Sequence, residues 1–342
     1  RQRHLTIPCE MCIRDRTPPS SSSQAPPLSA VAASTVESTD RSLLFPPHIN
    51  GAQTDRGLLT ARTLMRSRTE SHQVGGHGGK QEIIFKGEKV WKPVQDNSLE
   101  LAFYEKIASG AFPMVSDVSP PLAPIFQGVV RIQDPEIGET LYMKLENITS
   151  KFTKPSILDI KIGKQTWDPE SSTQKKEGQM KRDAETTTHS MGFRFCGMKV
   201  WNKKKQAYSK YPKTFGWDAL QEEELERCLI TFLHDGESLR LDILPIILER
   251  LHKIRLFIES GTWKFYATSL LFVYEGEEDL TPTATITSLI RQPHVEVRMI
   301  DFAHAHPLEK GSGQRDNNFL MGLNSLETFW VNIQSKPDIH VS

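Results

Sequence analysis

The spacing of apolar positions along the chain changes period several times, and each change marks an expected element. EIIFKGEKVWKPV holds two short strand-like runs with a Lys-Gly pair at the turn, which predicts a β-hairpin. In NSLELAFYEKIAS, Leu99, Phe103 and Ile107 recur every fourth residue and Asn97 and Glu100 stand at capping-box spacing, predicting a helix. GVVRI, TLYMKLENIT, PSILDIKIG and FRFCGMKVW read as further strands, and NKKKQAYSKYPKTFG as a polar loop. Helical spacing then dominates WDALQEEELERCLITFLHDG and LRLDILPIILERLHKIRLFIESG, with Pro245 starting or kinking the second. WKFYATSLLFVYEG and HVEVRMIDFAHA are candidate buried strands, and an amphipathic helix is expected over roughly 318–333. Strands early and helices late predict an α+β fold of two lobes with a cleft between them. Residues 1–70, rich in Ser, Pro, Ala and Thr without a period, predict a disordered tail.

Composition narrows the function without naming it. Lys plus Arg and Asp plus Glu number 42 each, so no global field favours nucleic acid, and any site for a polyanion must be a local concentration of charge. Four cysteines scattered along the chain suit a reducing compartment, and the CxxC of Cys9 and Cys12 lacks the second pair that a zinc site needs. No apolar run approaches the roughly 18 residues of a membrane span. The expectation is a soluble monomer of the cytoplasm, the nucleus or both. Lys203, Lys204 and Lys205 read as a hairpin tip or a weak nuclear-import patch.

Four features carry candidate chemistry. In PSILDIKIG, strand alternation puts Asp159 and Lys161 on one face and Leu158, Ile160 and Ile162 on the other, so the charged face meets either water or a ligand. VEVRMIDFAH ends a strand in Asp301 with His304 three residues on; a carboxylate there either holds Mg²⁺ against phosphate oxygens or begins a turn. Lys92 in the hairpin and Glu100 in the following helix are either a surface pair or the lysine–glutamate device that kinase-type enzymes use to grip nucleotide phosphates. KKEGQMKR, a short helix or loop, is either a solvated face or part of a site for a ligand bearing several phosphates. A GxxxxGK[ST] loop, GxGxxG, HExxH, GxSxG, HRD and DFG are all lacking, which argues against an ordinary protein kinase.

Together these blocks resemble the inositol polyphosphate kinase family. PSILDIKIG matches its PxxxDxKxG signature at Pro155, Asp159, Lys161 and Gly163; TSLLFVYEG resembles its SSLL block, MIDFAH its IDF block, and HQVGGH the segment that opens its catalytic domain. The resemblance implies a two-lobed, protein-kinase-like fold: an N-terminal antiparallel sheet lobe over 71–148, a larger C-terminal α+β lobe over 149–342, and ATP in the cleft. It implies transfer of the γ-phosphate of ATP, with Mg²⁺, to inositol polyphosphates. By the same resemblance Lys92 and Glu100 serve the ATP phosphates, Glu146 and Ile148 offer backbone groups to adenine, and Asp159 binds ribose. Lys161 then meets the transferred phosphate, Asp301 holds Mg²⁺, and Lys164, Lys175, Gln179, Arg182 and His304 line the inositol phosphate pocket. KLENIT and IDFAH look more like the multikinase branch, whereas GFRFCGMKVW fits hexakisphosphate kinases equally well; a non-catalytic inositol-phosphate-binding scaffold is the third reading.

Overall fold

A computed structural model describes residues 83–95, 99–111, 119, 121–134, 138–277, 293–309 and 311–336, all within the compact unit Gly57–Ser342. The expected tail, the HQVGGH segment and Asn97 lie outside the described residues. The predicted hairpin forms as β1 (Ile84–Lys86) and β2 (Lys89–Pro93), turning at Gly87 with φ of +55°. With β3 (Phe126–Asp134) and β4 (Gly138–Glu146) it builds a four-stranded antiparallel sheet in the order β1-β2-β4-β3. Helix α1 (Leu99–Ala108) follows β2. Its buried residues are Glu100, Phe103 and Tyr104; of the expected Leu99–Phe103–Ile107 stripe, Phe103 is in the core and Ile107, partly buried, packs against it. Glu100 is drawn inward, where its carboxylate meets Lys92 and the Phe302 amide.

The second sheet runs β10-β9-β5-β6-β7, antiparallel throughout: β5 (Pro155–Ile162), β6 (Phe193–Asn202), β7 (Ala207–Tyr211), β9 (Ser269–Glu275) and β10 (Val295–Ile300). A two-stranded ribbon pairs β8 (Trp263–Phe265) with β11 (Ala305–Pro307). The segment expected to be a polar loop holds β7 and a short helix α4 (Lys213–Trp217). An edge strand needs only one partner and one packed face, and Tyr208 supplies that face against Trp201, so AYSKY carries little of the apolar alternation that marks a central strand. The lysine run at 203–205 is the hairpin tip between β6 and β7.

Period-2 alternation sorts the large sheet into two faces. Leu158, Ile160 and Ile162 of β5, Phe193 and Phe195 of β6, Leu270 and Phe272 of β9 and Val297 and Met299 of β10 enter the main core. There they meet α5 (Glu222–Leu233), α6 (Leu244–Glu259, Pro245 in its first turn) and α7 (Asn317–Ser335). Burying each such side chain contributes about 1.5–3 kcal/mol relative to leaving it in water. The opposite face carries Asp159 and Lys161. A bulge lies between Asp159↔Gly197 and Ile160↔Phe195, making Cys196 the extra residue of β6, beside Asp159 on that polar face.

The glycine that ends the PxxxDxKxG stretch has a double reason. Gly163 has φ of +110°, and a Cβ there would lie 2.6 Å from the Asn318 amide of α7. Asn318 in turn accepts from the Gln165 amide and donates to the Gln165 carbonyl, so β5 is tied to α7 where the strand leaves the sheet. Helices α2 (Thr173–Glu185) and α3 (Thr187–Met191) follow.

Candidate active site

Between the two sheets lies a cleft lined by both of them. Phe85, Val90 and Leu145 from the four-stranded sheet line it together with Ile157, Leu271 and Ile300 from the five-stranded sheet. The segment Glu146–Thr149, leaving β4, forms part of its wall, and Lys92, Asp159 and Asp301 give it polar groups. Flat apolar walls, a backbone edge and a charged end suit a ligand with a planar ring and an anionic tail.

The charged end is a linked set. The Lys92 ammonium donates to Glu100 Oε1 and to Asp301 Oδ1, 2.8 Å each. Burial works against its charge, but the Asp301 and Glu100 carboxylates outweigh that and hold its pKa above the ordinary lysine value. Asp301 stands at the end of β10 with φ of +64°, a conformation few non-glycine residues adopt, and Thr268 Oγ1 donates to its carbonyl. Such backbone costs on the order of 1 kcal/mol and concentrates at functional sites. Ala267, with φ of +56°, turns its carbonyl to accept from the Lys161 ammonium.

Asp159 is 5% exposed, and its Oδ1 has no hydrogen-bond partner among the described residues. Burial and then the Asp301 charge push its pKa up to about 6, with the Lys161 and Arg194 charges opposing. A buried acceptor left without a donor is costly, so a ligand hydroxyl reaching it gains more than an ordinary surface hydrogen bond would give.

Next to this lies a second polar cluster. On α2, Lys175, Gln179 and Arg182 stand at i, i+4 and i+7, hence on one face. The Lys175 ammonium is 3.1 Å from His304 Nε2, joining α2 to the segment after β10. Gln179 Oε1 is buried without a hydrogen-bond partner among the described residues, whereas the Arg182 guanidinium lies over the Trp217 ring. A buried network holds α2 in place: Asp183 accepts from the Thr166 amide and hydroxyl and pairs with Arg194 at 3.0 Å, and Arg194 also donates to Thr188.

The structure thus brings Lys92, Asp301 and Asp159 to one cleft, with Glu100 behind Lys92 and the Glu146–Ile148 segment in its wall. It brings Lys175 to His304, and sets Lys161 beside Asp159 outside the cleft wall. No hydrogen bond or ion pair joins the Lys164 or Arg182 side chain to either group among the described residues. Sequence reasoning missed Asp168, His306 and the Asp183–Arg194 network. The alternation of His304 and His306 about β11 was a readable signal; Asp183, within a charged helix, gave none.

Two antiparallel lobes enclosing such a cleft define a kinase-like fold. A family model described as inositol polyphosphate kinase matches residues 142–330, more than half of the chain, and the chain belongs to that family. It is 34% identical over 205 residues to inositol hexakisphosphate kinase 3 of Mus musculus, covering 57% of this chain and 51% of that protein. It is 28% identical over 295 residues to inositol polyphosphate multikinase alpha of Arabidopsis thaliana, covering 80% and 98%. The chain therefore spans about half the length of the mouse relative and nearly all of the plant one. Its fold is similar to the crystal structure of the inositol phosphate multikinase Ipk2 of S. cerevisiae in complex with ADP and Mn²⁺, with a TM-score of 0.60 and 24% identity over 72% of this chain and 99% of that one. Among the described residues no helix is long and apolar enough to cross a membrane.

Proposed function

We propose that the protein is an ATP-dependent inositol polyphosphate kinase of the multikinase type, transferring the γ-phosphate to hydroxyls of inositol tris- and tetrakisphosphates. The observation that carries this reading is the partnerless, buried Asp159 Oδ1 in a cleft that also holds the Lys92–Asp301 pair. A ribose hydroxyl donating to Asp159 leaves the base between the apolar walls and directs the phosphates toward Lys92. The Glu146 amide already donates to the Ile125 carbonyl, so the group this residue offers a base is its own carbonyl, with Ile148 beside it. We assign the lobes to 71–148 and 149–342, meeting where β4 gives way to the 3-10 turn Ile148–Lys151.

Among the described residues no three acidic, His or Cys side chains cluster as a metal cage. Mg²⁺ needs none, because it keeps several waters and uses one or two carboxylates with substrate phosphates. Asp301, 43% exposed at the cleft, fits that donor set, and the ion would neutralise charge on the phosphates. Phosphoryl transfer asks mainly for positioning and charge stabilisation. In this reading Lys161, tethered to the Ala267 carbonyl, meets the phosphate in transit, and Lys175, His304, Gln179, Lys164 and Arg182 receive the acceptor's phosphates.

The test is incubation with ATP, Mg²⁺ and, separately, inositol tris-, tetrakis-, pentakis- and hexakisphosphates, with products resolved by chromatography. Phosphorylation of the tris- and tetrakisphosphates is expected. Turnover of hexakisphosphate alone supports a pyrophosphate-forming kinase instead, a reading favoured by the mouse relative's name. No ATP consumption with any of them makes the protein a binding scaffold.

A further inference from the structure

The second polar cluster is organised by a residue outside every motif. Asp168 Oδ2 lies 2.7 Å from His304 Nδ1 and 2.9 Å from His306 Nε2, and Asp168 Oδ1 accepts from the Glu170 amide at 2.9 Å. Its backbone carbonyl accepts from the Ser171 amide, which fixes the turn leading into α2. Burial works against its charge, yet the Glu170 amide and the two imidazoles prevail and hold its carboxyl below the usual range.

The hydrogens follow from these contacts. An ammonium only donates, so Lys175 at 3.1 Å requires a lone pair on His304 Nε2. His304 then carries its proton on Nδ1 and gives it to Asp168. His306 must use Nε2–H toward the same oxygen while its Nδ1 lies 3.7 Å from Glu170 Oε1, so when both rings are neutral the two histidines hold opposite tautomers. Reversing the proton on His304 would point Nε2–H at the ammonium and drive Lys175 off.

We propose that Asp168 is a positioning residue that, by fixing the His304 tautomer, sets where the Lys175 ammonium stands to receive a phosphate of the acceptor. The proposal rests on the kinase reading for its acceptor, but its linkage is a property of the protein alone. Asp168 touches no reacting atom; it acts through His304, as an outer carboxylate commonly orients an imidazole.

The test has two arms. Two-bond ¹H–¹⁵N spectra of histidine-labelled protein, above the pH range where imidazole ionises, are expected to show His304 as the Nδ1–H form and His306 as the Nε2–H form, with His304→Gln and His306→Gln identifying the signals. Asp168→Asn is expected to lose the His304 signature and to raise KM for an inositol trisphosphate about tenfold, the low end for a charge-assisted hydrogen bond, while KM for ATP stays within about twofold. An Nε2–H form of His304 in the unaltered protein overturns the proposal, whether or not the variant folds. So does a folded variant with unchanged inositol trisphosphate KM, or one in which both KM values rise together. Should the unaltered protein phosphorylate no inositol phosphate, the kinase reading fails separately, and the calorimetric Kd for inositol hexakisphosphate takes the place of KM.

Discussion

Asp159→Asn tests the buried carboxylate without changing its shape. In the ligand-free protein the folded pKa of about 6 lies above the ordinary 3.8, so the native state holds this proton more tightly than the unfolded chain does. Below about pH 4 both states are protonated and the carboxylate costs nothing; between about 4 and 6 the penalty grows; above about 6 it is complete. A shift of roughly two units at about 1.4 kcal/mol each gives a penalty on the order of 3 kcal/mol at neutral pH. The asparagine variant is therefore expected to be more stable than the parent by that order at pH near 8, with the gain shrinking to nothing near pH 4, and to lose nucleotide turnover. Urea unfolding across that pH range measures it. A variant no more stable at high pH, or a gain that does not vary with pH, refutes the argument that Asp159 is a charge held in the cleft without adequate compensation.

Asp183→Ala should leave Arg194 buried without its carboxylate and cost about 3–5 kcal/mol, read as a lower urea midpoint; unchanged stability would remove the network from the support of α2. Asp301→Asn should abolish Mg²⁺-dependent turnover while the fold persists by circular dichroism. An unaltered Mg²⁺ titration would exclude Asp301 as a ligand.

Local pattern made part of this site readable and long-range contact made the rest invisible. Alternation along β5 put Asp159 and Lys161 on one face, and the face they share is the polar one above a core filled by Leu158, Ile160 and Ile162. The bulge at Cys196 left no mark in the β5 sequence because the extra residue sits on the neighbouring strand. Glu100 fitted a capping pattern, yet its carboxylate reaches Phe302, 202 positions away, and no helical spacing encodes that. Asp168 and His304 stand 136 residues apart and meet only because the β5–α2 loop and β11 come together. Asp301 was legible as the end of an apolar strand; its left-handed backbone was not, since aspartate tolerates that region without requiring it.

The most direct test of one cleft serving nucleotide and acceptor is the rate of phosphate transfer from ATP to an inositol tetrakisphosphate by Lys161→Ala, measured beside its affinity for ADP. Lys161 lies outside the cleft wall yet next to Asp159, so transfer should fall by about a hundredfold to a thousandfold, as expected when a group aimed at developing charge is removed, while ADP binding stays near the parent value. Transfer at the parent rate would contradict the account.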